Sequence, residues 1–209
     1  MKILGISCSL RKVSNTSILI KEALTAAKKE GAETEFMSLI GKNIKPCEGC
    51  LTCTKTGKCR IKDDMKDIYD KMIAADGIII GSPIFSWSVA GQTKVLIDRM
   101  FMLKHPHLKL SNKVGGVIVV ASRLGLMNGA TVINMCFHGH HMISTDMVGA
   151  LARTAGAVRK DKYAIQGAHE LGRQMSSLIT AGFKFPEGYN QGFVGHLENG
   201  YPVKSSPFE

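Results

Sequence analysis

No run of roughly 18 or more apolar residues occurs in the chain, so no hydrophobic membrane-crossing helix is expected. Aromatics make up only 6% of residues, with a single tryptophan. The lysines and arginines are scattered and are not interleaved with aromatics, which argues against a nucleic-acid partner. Neither GxxxxGK(S/T) nor GxGxxG occurs, excluding the P-loop and the dinucleotide fingerprint. No Ser/His/Asp triad or pair of catalytic carboxylates can be read from spacing. The first residues, MKILGISCSL, carry one lysine and a short apolar run without a small-residue cleavage site. They read as a strand rather than a secretory leader. Acidic residues are also few: 17 against 27 Lys and Arg, a net charge of +10. That balance suits attraction for a phosphorylated cofactor or an acidic protein, or simply a basic solvated surface.

What is present is regular alternation. The 209 residues, 44% hydrophobic, match one α/β domain with a sizeable core. Apolar, β-prone segments at 2–8, 32–39, 76–83, 113–122 and around 141–145 read as strands. Helical spacing of Ile18, Leu19, Ala23, Leu24 and Ala27, stopped at Gly31, marks the first helix. Met65, Ile68, Met72 and Ile73 mark another, with Asp63 and Asp64 as caps. Further helices are read at 89–103, 128–138 and 165–181. Strand and helix alternate about five times, which specifies a parallel sheet covered on both faces. Residues 1–182 form the expected domain, and the Gly/Pro-rich 183–209 read as an extended C-terminal arm.

Ligands of open α/β sheets sit beyond the C-terminal ends of the strands. Three loops fall there. Residues 7–17, SCSLRKVSNTS, place hydroxyl and amide donors at the start of a helix, which suits a phosphate. Residues 81–99 leave a buried strand at Pro83 and present Ile84, Phe85 and Trp87, apolar surface that a planar aromatic ligand would cover. Residues 121–130, ASRLGLMNGA, offer Ser122 and Arg123 as donors and Gly125 for close backbone approach.

The least ordinary stretch is 45–62, KPCEGCLTCTKTGKCRIK. Cys47, Cys50 and Cys53 form a C-x2-C-x2-C run and Cys59 follows. Six cysteines without a leader fit a reducing, cytoplasmic setting, where such clusters hold metal or redox groups. The run suits a 4Fe-4S cluster, three thiolates from one turn and a fourth from a later residue. Zinc, more usual with two separated pairs, and free thiols remain alternatives. Lys45, Lys55, Lys58, Arg60 and Lys62 flank the cysteines and would attract an acidic electron carrier. The HxHH run at His138, His140 and His141 reads as a helix-end cap rather than a metal site.

Taken together, GISxSxRxxSNTxxL, IKPCxGCxxCxxTGKC and DDMxxIYxKxxxADGIIIGSPIFxxxxxGQxKxxIDR resemble the iron–sulfur flavoproteins, within the flavodoxin-like NAD(P)H-dependent FMN reductases. The resemblance is strong over residues 1–100 and looser to about 180. It implies a flavodoxin-like three-layer sandwich, a five-stranded parallel sheet of order 2-1-3-4-5 with FMN at its C-terminal edge. It implies a homodimer or homotetramer, and a ferredoxin-like or NAD(P)H electron donor serving a small-molecule acceptor. By the same resemblance, Ser9, Arg11, Asn15, Thr16 and Ser17 hold the FMN phosphate. Pro83, Ile84, Phe85 and Trp87 lie along the isoalloxazine and ribityl chain, and Ser122, Arg123 and Gly125 belong to a third flavin loop. Cys8 stands where the family usually has a small residue, and would bring bulk toward the phosphate. A cluster-free FMN or quinone reductase and a zinc-stabilised binding module are the competing readings.

Overall fold

Continuous β-branched runs have nowhere to go but a sheet interior buried on both faces. The computed structural model, in which residues 1–186 are described, builds that interior from five parallel strands. They are β1 (Lys2–Ser7), β2 (Glu33–Ser38), β3 (Gly77–Phe85), β5 (Val114–Ala121) and β6 (Ile143–Leu151). A two-residue strand, β4 (Ser88–Val89), pairs antiparallel with the end of β3. The sheet order is β2-β1-β3-β5-β6. Without the β4 appendage this is the expected 2-1-3-4-5, with the chain reversing its direction of travel across the sheet between β1 and β3.

The period-2 alternation along each strand sorts side chains into two cores. On one face, Ile3, Ile79, Ile118 and Val120 pack under α1 (Asn15–Lys29) and α6 (Lys162–Ala181). On the other, Leu4, Ile6, Ile78, Ile80 and Val119 pack under α3 (Met65–Ala74), α4 (Gly91–Met100) and α5 (Leu126–His138). A one-turn helix, α2 (Thr52–Thr56), lies within the cysteine segment, which the sequence reads as loop throughout. Short 3-10 turns occupy Phe101–Lys104 and Ala157–Lys160.

Two expectations shift, and a third lies largely outside the described residues. The last strand spans nine residues, not five, and runs to Leu151. Ile73 lies outside the apolar face of α3 and is exposed, whereas Met65, Ile68 and Met72 are buried. The extended arm lies outside the described residues beyond position 186. Among the described residues no helix is long and apolar enough to cross a membrane.

Candidate flavin and cysteine sites

The C-terminal ends of β1, β3 and β5 open into a cavity of about 300 Å³. Its phosphate-like end is the start of α1. Ser14 is the N-cap: its backbone is extended, and its Oγ accepts from the Ser17 N–H at 3.1 Å. The amides of Asn15 and Thr16 have no intrahelical partner, as the first turn of any helix requires. These amides, with the positive end of the helix dipole, make an anion seat. Ser9 and Thr16 bring buried hydroxyls to the same cavity, and Arg11 lies on its rim.

Of the expected residues, Ser9, Arg11, Asn15, Thr16, Pro83, Ile84, Phe85 and Ser122 border this cavity. Four do not. Ser17 turns inward, its Oγ 2.8 Å from Ser7 Oγ. Trp87 stands 62% exposed on the turn between β3 and β4. Arg123 is exposed beyond Ser122. Gly125 has φ +89° as N-cap of α5, and a Cβ there would stand 3.0 Å from Trp87 Cα. Its role is to let α5 approach the Phe85–Ser88 turn, in which Ser86 and Trp87 both take positive φ. Asn15 is spent on the protein: its Nδ2 donates to Ala152 O and Thr154 O, and its Oδ1 accepts from the Val158 N–H. It ties the start of α1 to the loop after β6.

That fourth loop escaped the sequence reading. Ala152 and Arg153 border the cavity, and Arg11 Nη1 approaches Arg153 O at 3.4 Å. Gln92 also borders it, its Nε2 donating to Cys8 O at 2.6 Å. The GQxK motif was the available signal. Cys8 brings no bulk to the phosphate: its thiol is fully buried in the core beneath α3 and α4, and burial pushes its pKa up to about 12.

The cysteine segment leaves β2 at the same edge and is gripped by a buried ion pair. Arg99, at the end of α4, donates from Nη1 to Asp63 Oδ2 at 2.6 Å and from Nη2 to Asp63 Oδ1 at 3.0 Å, both side chains fully enclosed. Asp63 Oδ2 also accepts from the Lys45 N–H at 2.8 Å, and Oδ1 from the Met65 N–H at 3.1 Å. Arg99 Nη1 returns a bond to Lys45 O at 2.7 Å. Both backbone groups of Lys45, two residues before Cys47, are therefore held. Burial alone would raise the Asp63 pKa, but the hydrogen bonds from Arg99, Lys45 and Met65 bring it below the ordinary carboxylate value. Burial opposes the Arg99 charge, yet Asp63, with Tyr69 and Cys59 adding, holds its pKa up. Further along, Lys109 Nζ donates to Gly57 O at 3.1 Å.

Between these anchors Cys47, Cys50, Cys53 and Cys59 border one narrow cavity of about 30 Å³. Cys47 and Cys50 are exposed, Cys53 and Cys59 half-buried. Hydrogen bonds from the Thr52 side chain and N–H, with Arg60 nearby, lower the Cys50 pKa, while burial raises that of Cys53. Arg60 pairs with Glu48 across the segment. Among the described residues no three His, Cys, Asp or Glu side chains are arranged to hold a metal ion, the cysteines and the HxHH run included. His140 is buried, and burial, then the charges of Lys104 and His141, push its pKa down to about 3, so it is neutral. The donor set nonetheless suits an iron–sulfur group: four thiols within thirteen residues border one cavity, and Arg99, whose Nε is a buried donor without a partner, borders it too.

Residues 1–155 match the family model described as NADPH-dependent FMN reductase. The chain is 38% identical to an iron–sulfur flavoprotein of Methanocaldococcus jannaschii, covering 86% of this chain and 97% of that one. It is 33% identical to an iron–sulfur flavoprotein of Archaeoglobus fulgidus, covering 87% and 96%. Among solved structures, RosB with bound 8-demethyl-8-formylriboflavin-5'-phosphate superposes with a TM-score of 0.78 at 18% identity, over 98% of this chain and 90% of that one. An archaeal flavodoxin gives 0.58 at 14%, over 86% and 99%. At these identities the two structures speak for the fold alone.

Proposed function

Because the chain belongs to the NADPH-dependent FMN reductase family and is an FMN-dependent oxidoreductase of the iron–sulfur flavoprotein type, we propose that it relays electrons between a ferredoxin-like or NAD(P)H donor and a small-molecule acceptor through a 4Fe-4S cluster and FMN. The observation that carries this reading is the placement of a four-thiol segment and an anion-seating cavity on one edge of one sheet. When bound, the cluster supplies single electrons and the flavin exchanges them for pairs. The protein's part is to bind, orient and shield.

The first-turn amides of α1, with the Ser9 and Thr16 hydroxyls and Arg11, form the seat for the FMN phosphate. Pro83, Ile84 and Phe85 form the apolar floor for the ring, and Ser122 offers a donor opposite. Trp87, exposed on its turn, is placed to cover a ring from outside the cavity. Arg123 and Gly125 act through the third loop's backbone, and Ser17 acts indirectly, its N–H completing the Ser14 cap that fixes the first turn. Cys47, Cys50, Cys53 and Cys59 are the cluster ligands. Beside them, a cavity of about 460 Å³ is bordered by Lys58, Lys62, Lys66 and Lys109. That basic rim supports docking of an acidic carrier, whose rate would fall steeply with salt.

The test is the absorption spectrum of anaerobically purified protein with iron and acid-labile sulfide analysis. Flavin together with equal iron and sulfide is expected. Flavin alone, bleached rapidly by NADPH even in a Cys-to-Ala variant, would replace this reading with a cluster-free reductase. A colourless, zinc-containing protein would replace it with a binding module. For the phosphate seat, Thr16→Val should weaken FMN binding to the apoprotein about tenfold, the scale of one charge-assisted hydrogen bond, and leave riboflavin affinity unchanged. An equal loss for both ligands would remove Thr16 from the seat.

A further inference from the structure

A guanidinium carries five N–H donors and never loses its charge in a protein. Those of Arg99 are unevenly employed. Its two terminal nitrogens are taken by Asp63 and Lys45 O. Its Nε is buried and has no partner. An unsatisfied donor at this depth is costly and uncommon in native proteins. The residue is only 2% exposed, so water does not compensate. Arg99 also borders the narrow cavity shared by the four cysteines. The forked grip on Asp63 fixes the guanidinium plane, so Nε cannot turn to seek another acceptor. Of the side-chain acceptors bordering that cavity, the Glu48 and Asp98 carboxylates are paired with Arg60 and Lys94, and the others are sulfur atoms.

We propose that Arg99 Nε–H donates a hydrogen bond to an anionic sulfur of the cysteine site, a ligand thiolate or a cluster sulfide, and thereby raises the cluster's reduction potential. The proposal rests on the cluster reading above. A hydrogen bond to cluster sulfur favours the more negative, reduced state and so makes the cluster easier to reduce. Asp63 already offsets the Arg99 charge, and Arg60 and Glu48 offset each other. The directed N–H therefore does more than the net charge. The same pair that grips the base of the segment thus reaches the metal centre through its remaining donor, which makes Arg99 a positioning and tuning residue rather than a catalytic one.

The experiment is a redox titration of wild type and Arg99→Lys, with iron, sulfide and flavin measured on each sample. Lysine keeps the charge near Asp63 but has no second donor on a rigid plane. The one-electron reduction constant of the variant's cluster is expected to fall about tenfold, or ~59 mV, while the flavin potential stays within about twofold of wild type. A fully loaded variant with an unshifted cluster overturns the proposal. Wild-type protein that takes up no iron and sulfide overturns the cluster reading and this proposal with it. Should Arg99→Lys fail to fold or load, wild-type protein decides the matter. With 15N-arginine labelling, the Arg99 Nε–H resonance should be hyperfine-shifted and slow to exchange with solvent in the loaded protein. The same shift and exchange rate in apo and loaded protein would refute it.

Discussion

Replacing Asp63 by alanine should be among the most damaging single changes outside the apolar core. The side chain has no exposed surface and accepts from two guanidinium nitrogens and two backbone amides. Its removal leaves Arg99 charged in an enclosed site, a situation that costs about 3–5 kcal/mol. For a chain of this size each kcal/mol lowers Tm by about 2–4 °C, so a drop of roughly 6–20 °C is expected by calorimetry on the cluster-free protein. The pair is not itself a source of stability relative to apolar packing. Asp63→Leu with Arg99→Met should therefore recover much of the loss. Because the Lys45 N–H loses its acceptor with Asp63, alkylation of the half-buried Cys53 and Cys59 should accelerate before global unfolding. The sign of the pH dependence follows from the depressed Asp63 pKa. Its contribution is complete above the unfolded carboxylate value, about 3.9, and is lost as pH falls through the lower folded value. A single Asp63→Ala variant within about 1 kcal/mol of wild type, or a double variant as unstable as the single, would refute the reasoning.

Ser14→Ala removes the cap of α1 and should cost about 1 kcal/mol, seen as a fall in denaturation midpoint together with weaker FMN binding, because the same turn seats the phosphate. Gly172→Ala would put a Cβ 2.1 Å from Ala23 O, where α6 crosses the backbone of α1. A loss of about 1–3 kcal/mol is expected from overpacking, and urea unfolding of the variant measures it.

Much of the architecture was legible because buried parallel strands announce themselves. The runs Ile78–Ile80 and Val117–Val120 are apolar without interruption, alternation gives a parallel sheet, and the strand order came with the family resemblance. The edge strand β6 was read too short for the opposite reason. Polar Ser144, Thr145 and Asp146 interrupt the run, Asp146 exposed and the other two half-buried, so it is not continuously apolar. Losing the end of β6 also hid the loop after it, and with it Arg153 and Ala152. Eight of the twelve expected flavin-site residues border the cavity, since a loop's address at a strand end is written in order along the chain. Side-chain direction is not. Nothing local to SNTS tells that Ser17 points inward or that Asn15 is committed to a loop 137 residues away. The Asp63–Arg99 pair was equally silent: Asp63 reads as a helix cap, and the partner that defines it lies 36 positions on.

The polar anchors of the cysteine segment bear on chronology. Asp63, Arg99 and Lys109 hold the segment at Lys45 and Gly57 through oxygen and nitrogen alone. On the cluster reading proposed above, the chain can thus finish its mould first and receive an inorganic cargo afterwards. Maturation then becomes a delivery into a standing frame rather than a folding event. Oxidative loss of the cargo would leave a protein able to be refilled.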